Sequence, residues 1–119
     1  MATFVAAGRT DQLQDGQMKL VTIADREILL ARVSGKFYAS QPRCPHMGGS
    51  LWLGQLDGTI ITCPRHGSRF DLADGHVVRW TNWSGVVLGV GKLIRSPRPL
   101  KMYEVKIEDN TILVGVNVL

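Results

Sequence analysis

Residues 43–50 read RCPHMGGS, and residues 62–70 read TCPRHGSRF. The first stretch carries Cys44 and His46; after a gap of 16 residues, the second carries Cys63 and His66. The chain has two cysteines and three histidines, so the C-x-H…C-x-x-H pattern uses both cysteines and leaves out a single histidine. Two thiolates and two imidazoles offered by two short loops form a four-ligand set for a soft or borderline metal.

Structural zinc accepts this ligand set, but zinc sites usually draw two ligands of one kind from each arm. Here each arm offers one of each. Mixed arms suit a two-iron cluster, in which one iron takes both thiolates and the other both imidazoles. Pro45, Gly48, Gly49, Pro64 and Gly67 surround the four residues, and such loops let backbone amides approach sulfur closely.

With these residues in place, the chain resembles the Rieske [2Fe–2S] family, whose signature is similar to C-P-H-x16-C-P-R-H-G-S. The resemblance implies one [2Fe–2S] cluster, with Cys44 and Cys63 on the inner iron and His46 and His66 on the outer one. It also implies an all-β fold of stacked antiparallel sheets. A β base of residues 1–40 and 76–119 would carry an inserted cluster-binding lobe of residues 41–75, all within a single domain of residues 1–119. FDLADG (Phe70–Gly75) would supply the strand and turn after the second arm, and SPRP (Ser96–Pro99) the proline loop over the cluster. High-potential members place a serine and then a tyrosine after the last histidine; Ser68 and Phe70 hold those positions here. Ser68 is therefore the candidate hydrogen-bond donor to the cluster, against the alternative of a turn serine bonded to backbone, while Phe70 is expected to pack beneath the lobe.

Within the family, the respiratory type bears an extra cysteine in each loop, and these pair as a disulfide. The corresponding positions are Gly49 and Arg65, which points to the soluble ferredoxin type. Oxygenase subunits add a mononuclear iron held by two histidines and a carboxylate. Only His76 is left over, in a turn-like ADGH stretch where an exposed turn histidine is expected. The resemblance thus implies a one-electron carrier rather than an enzyme. Its partners would be a flavoprotein reductase and a terminal oxygenase or other redox enzyme. Two alternatives remain: a Rieske-like small subunit of an assimilatory nitrite reductase or other stable redox complex, and a zinc-stabilised binding module.

No run of 18 or more apolar residues occurs in the 119, so no membrane span is expected. The amino-terminal stretch lacks a basic segment followed by an apolar one, so no secretory leader is expected either. Both cysteines are committed to the metal, which fits a reducing, cytoplasmic setting. The net charge of +4 is uneven: residues 41–101 hold eight basic and three acidic side chains, and the remainder six and seven. A basic surface centred on Arg43, Arg65 and Arg69 would steer an acidic partner surface. No nucleic-acid motif accompanies the charge and aromatics are few, so nucleic acid is not an expected partner. Two thiolates and two neutral imidazoles leave an oxidised two-iron cluster uncharged, whereas four thiolates make it an anion. Added electrons are thus held at about −150 to +300 mV instead of about −400 mV.

Outside the two arms, short apolar runs separated by turn residues predict strands. Met18–Ile23 and Ile28–Val33 should form a hairpin around Asp25-Arg26, and Ser34-Gly35 should turn into Lys36–Ala39. Gly58–Thr62 should lead into the second arm. Tyr103, Val105 and Ile107 alternate with charged residues and predict one strand, turned at Asp109-Asn110 into Thr111–Val116. Thr10–Leu13 predicts one helical turn. Residues 79–96, with Trp80, Trp83 and a VVLGVGKLI run, are expected to add an extra hairpin or turn packed on the base. The competing reading is an exposed apolar docking surface.

Overall fold

The computed structural model describes residues 2–45, 48–65, 67–79 and 98–117. The predicted insert, Trp80 and Trp83 included, lies outside the described residues except for Arg79, as do Ser96 and Pro97 of the proline loop. All regular structure described is β, apart from two single 3-10 turns at Thr10–Gln12 and Leu51–Leu53. The strands are β1 (Ala2–Arg9), β2 (Met18–Ile23), β3 (Arg26–Val33), β4 (Lys36–Ser40), β5 (Gln55–Asp57), β6 (Ile60–Thr62), β7 (Arg69–Asp71), β8 (Val77–Arg79), β9 (Met102–Tyr103), β10 (Val105–Glu108) and β11 (Thr111–Asn117). They form three antiparallel sheets, ordered β1-β11-β10, β2-β3-β4-β9 and β5-β6-β7-β8.

Two-residue turns set the hairpins. Ile23 pairs with Arg26, so the turn is Ala24-Asp25, one residue earlier than Asp25-Arg26. Both turn residues have positive φ (51° and 63°), the primed geometry that matches strand twist. Ser34-Gly35 and Asp109-Asn110 turn in the same way, with φ of 50°, 79°, 48° and 64°. Thr10–Gln12 supplies the predicted helical turn.

The carboxy-terminal alternation behaves differently from the expectation of one strand. It divides at Glu104: β9 pairs with β4 in the second sheet, while β10 pairs with β11 in the first. Period two therefore spans a crossing between sheets, and Ile107 is left 47% exposed.

β3 is the wall shared by two cores. Ile28 and Leu30 face a cluster with Leu13, Ile23, Ala39, Ile112, Val114 and Val116, which joins the first two sheets. Leu29 and Ala31 face the other way, into a cluster with Leu51, Ile61, Phe70, Leu72, Leu100 and both cysteines. All four β3 residues are 2% exposed or less. Full burial of an isoleucine or leucine side chain, as at Ile28, Leu29 and Leu30, is worth about 1.5–3 kcal/mol relative to exposure. The small β5–β8 sheet is thereby seated on the face of the base opposite the first core.

Candidate metal centre

The two cysteine segments fold as twins. Around Cys44, residues one before and six after pair as an isolated antiparallel bridge, Arg43 with Ser50. Around Cys63, the same offsets pair Thr62 with Arg69 in the β6–β7 ladder. The Cys44 N–H donates to the Gly49 carbonyl (2.8 Å), and the Gly48 N–H to the Cys44 carbonyl (2.8 Å). The Cys63 N–H donates to the Ser68 carbonyl (2.8 Å), and the Gly67 N–H to the Cys63 carbonyl (3.1 Å). Each loop thus closes through the residues four and five after its cysteine. The fourth is a glycine in both, at φ 72° and 73°, a left-handed conformation that costs a side-chain-bearing residue about 1–2 kcal/mol. The unequal spacings C-x-H and C-x-x-H are therefore held in loops of equal length.

The loops also touch. A Cβ on Gly49 would lie 2.7 Å from Cys63 Sγ and 3.2 Å from Arg65 Cβ. The absent side chain lets the first loop lie directly on the second loop's sulfur. It also sets positions 49 and 65 face to face. Cys44 and Cys63 are 3% and 2% exposed and belong to one apolar core with Phe70 and Leu51. Phe70 is fully buried in that core.

The candidates fall into three groups. The structure brings Cys44, Cys63 and Ser68 into one buried region; Ser68 has no exposed surface. His46 and His66 lie outside the described residues. His76 is exposed and stands in a turn, as expected, with Nδ1 2.5 Å from Asp74 Oδ1. The His76 backbone N–H, at 3.0 Å, and then its imidazole hold the Asp74 carboxyl below its ordinary range.

Arg79 was missed by the sequence reading, which counted it with the surface charge. Its Nε and one terminal nitrogen both donate to the Gly67 carbonyl, at 3.1 and 3.0 Å. No local spacing signals this contact, which spans twelve residues. Arg43 donates to Ser50 Oγ (3.1 Å) and lies over the Trp52 ring, 5.1 Å from its centroid. Arg43, Arg65 and Arg69 are exposed.

Buried paired sulfurs on two touching loops fit an iron–sulfur group better than a finger-type zinc site. A family model for the Rieske [2Fe–2S] domain matches residues 3–112. The chain belongs to the Rieske [2Fe–2S] domain family. The Rieske chain carries one [2Fe–2S] cluster, which overturns the zinc alternative. It is 27% identical over 116 residues to the ferredoxin component of the naphthalene 1,2-dioxygenase system of Pseudomonas putida, covering 96% of each protein. It is 36% identical over 63 residues to human apoptosis-inducing factor 3; that match spans 53% of the Rieske chain and 10% of the human protein. Among solved structures, a complex of reduced oxygenase and oxidized ferredoxin in carbazole 1,9a-dioxygenase contains a chain that superposes with a TM-score of 0.74. That chain shares 26% identity, with 94% of this chain and 92% of that one covered. No helix among the described residues is long and apolar enough to cross a membrane.

Proposed function

We propose that the chain is the ferredoxin component of a multi-protein oxygenase system, taking one electron from a reductase and delivering it to a terminal oxygenase. The twin loops carry this reading, together with full-length likeness to proteins named as ferredoxin components. In the proposed site, Cys44 and Cys63 hold the inner iron, and His46 and His66 the outer one. The cluster supplies a one-electron couple; the chain supplies ligation, burial and docking. Cys44 and Cys63 keep their thiolates out of water, where Leu51, Ile61 and Phe70 exclude solvent. Arg43, Arg65 and Arg69 present positive charge beside the loops, suited to an acidic face on the partner. The use of both cysteines as thiolates supports a reducing, cytoplasmic setting.

Metal analysis of the purified protein is expected to give equal amounts of iron and acid-labile sulfide, with a coloured visible spectrum. Zinc without sulfide would overturn the reading. With a purified terminal oxygenase, the electron-transfer rate should fall as salt rises through the range where the Debye length drops below about 10 Å. A salt-independent rate would remove the three arginines from docking.

Ser68 has a second expected role. Its hydroxyl is fully buried, and a buried hydroxyl finds a hydrogen-bond partner. Directed at a cluster sulfur, it would stabilise the added electron. Ser68→Ala is then expected to lower the reduction potential while leaving iron content unchanged. An unshifted potential on voltammetry would return Ser68 to the closing of its turn.

A further inference from the structure

The Cys63 loop is gripped from outside the two cysteine segments. Arg79 closes β8, and its guanidinium directs two N–H groups at one acceptor, the Gly67 carbonyl. That carbonyl belongs to the peptide joining Gly67 to Ser68, between the His66 position and the buried serine. The peptide plane is trans, so its C=O and N–H point in opposite directions. Fixing the oxygen on Arg79 therefore fixes the heading of the Ser68 N–H. The same segment is tied from the other side, where the Gly67 N–H donates to the Cys63 carbonyl and the Ser68 carbonyl accepts from Cys63. Residues 67 and 68 are thus held between the cysteine and the guanidinium.

The guanidinium is also a permanent charge. It is partly buried, unlike the exposed Arg69 that faces it across the β7–β8 ladder. Solvent screens a partly buried charge less than an exposed one. Neighbouring Arg79 and Arg69 thus provide the same charge at two depths, and the Arg79 guanidinium reaches back to the loop's backbone.

We propose that Arg79 is a positioning residue of the redox centre: its two-pronged grip on Gly67 orients the Cys63–Ser68 loop, and its charge favours the reduced state. The proposal rests on the reading of Cys63 and His66 as cluster ligands. Arg79→Gln removes the charge and the fork. Arg79→Lys keeps the charge and offers a single point of contact. Arg69→Gln removes the neighbouring exposed charge and serves as the control.

The test is film voltammetry of the loaded protein, together with the rate of bleaching of the visible band in the presence of a chelator. Iron and sulfide are first measured in the wild type; their absence would overturn the cluster reading itself, before any variant is compared. With cluster present, Arg79→Gln is expected to shift the potential negative and to bleach several-fold faster than wild type. Arg79→Lys should recover most of the potential but not the bleaching rate, and Arg69→Gln should alter both only slightly. If Arg79→Gln does not fold, the lysine variant's faster bleaching at near-native potential still carries the test. Wild-type potential and bleaching in both Arg79 variants would overturn the proposal. An equal potential shift in Arg69→Gln would overturn it too, since charge without grip would then suffice.

Discussion

Gly75→Ala is expected to destabilise the chain by about 3 kcal/mol or more, placing it among the severe single substitutions, and to lower Tm by roughly 10 °C. A Cβ there would lie 2.2 Å from the Leu100 carbonyl oxygen and 2.9 Å from Met102 Cγ, and the backbone sits at φ 85°. The obstacle is mostly backbone and cannot rotate aside. Gly75 binds the segment before β9 directly: its carbonyl accepts from the Leu100 N–H at 2.7 Å, and its own N–H donates to the Asp71 carbonyl at 2.6 Å. Leu100 is buried in the core that contains both cysteines, so displacing it opens that core. Gly58→Ala is the matched control, at φ 57° with open space around the position, and should cost only about 1–2 kcal/mol. Urea unfolding of the two variants measures the difference. Equal midpoints would mean that the return of the chain past Gly75 is not held as tightly as its contacts imply.

Gly49→Ala should act on the metal centre instead of the fold. The position does not have the left-handed φ of Gly48, so the backbone tolerates a side chain. What does not tolerate it is Cys63 Sγ, 2.7 Å from the new methyl carbon. Relief requires the sulfur or the whole first loop to move. A soft ligand displaced by even several tenths of an ångström no longer matches iron–sulfur bond lengths, which are fixed by the metal. The expected result is protein of near-native circular dichroism that retains a minor fraction of wild-type iron and sulfide. Full iron content at wild-type potential would show that the loops do not need this contact to hold their cargo.

The candidate site was legible in sequence because its proposed ligands are four residues at short spacings, and the loops bear their own markers. Gly48 and Gly67 each stand four residues after a cysteine, and the structure explains why through one closure geometry used twice. The base was legible where turn residues flank apolar runs, and β2 has the predicted bounds Met18–Ile23. β1 was missed because TFVAAG carries two alanines and a glycine, which have little strand preference of their own. Its strand character comes from pairing with β11 along its length. β5 was missed because a strand of three residues holds too few side chains to show a period, and β9 was read as one strand with β10. The split at Glu104 was hidden for a related reason: alternation records which way side chains point, not which sheet receives the backbone. Arg79 was unreadable because its partner is a carbonyl, and every residue type offers one.

The two-faced burial of β3 has a consequence for how strand register is encoded. A strand with one wet face rejects a one-residue slip, because the slip buries polar groups and exposes apolar ones. Ile28–Ala31 offer no such contrast, since apolar side chains fill both faces. Hydrophobicity alone would allow Ile28 and Leu30 to trade places with Leu29 and Ala31. The discrimination passes to the ends of the strand, where Ala24-Asp25 and Ser34-Gly35 admit two residues each and no third. These small turns, at the two ends of β3, therefore decide which side chains line the cysteine-bearing core, and a lengthened turn would retune the redox centre without touching a ligand.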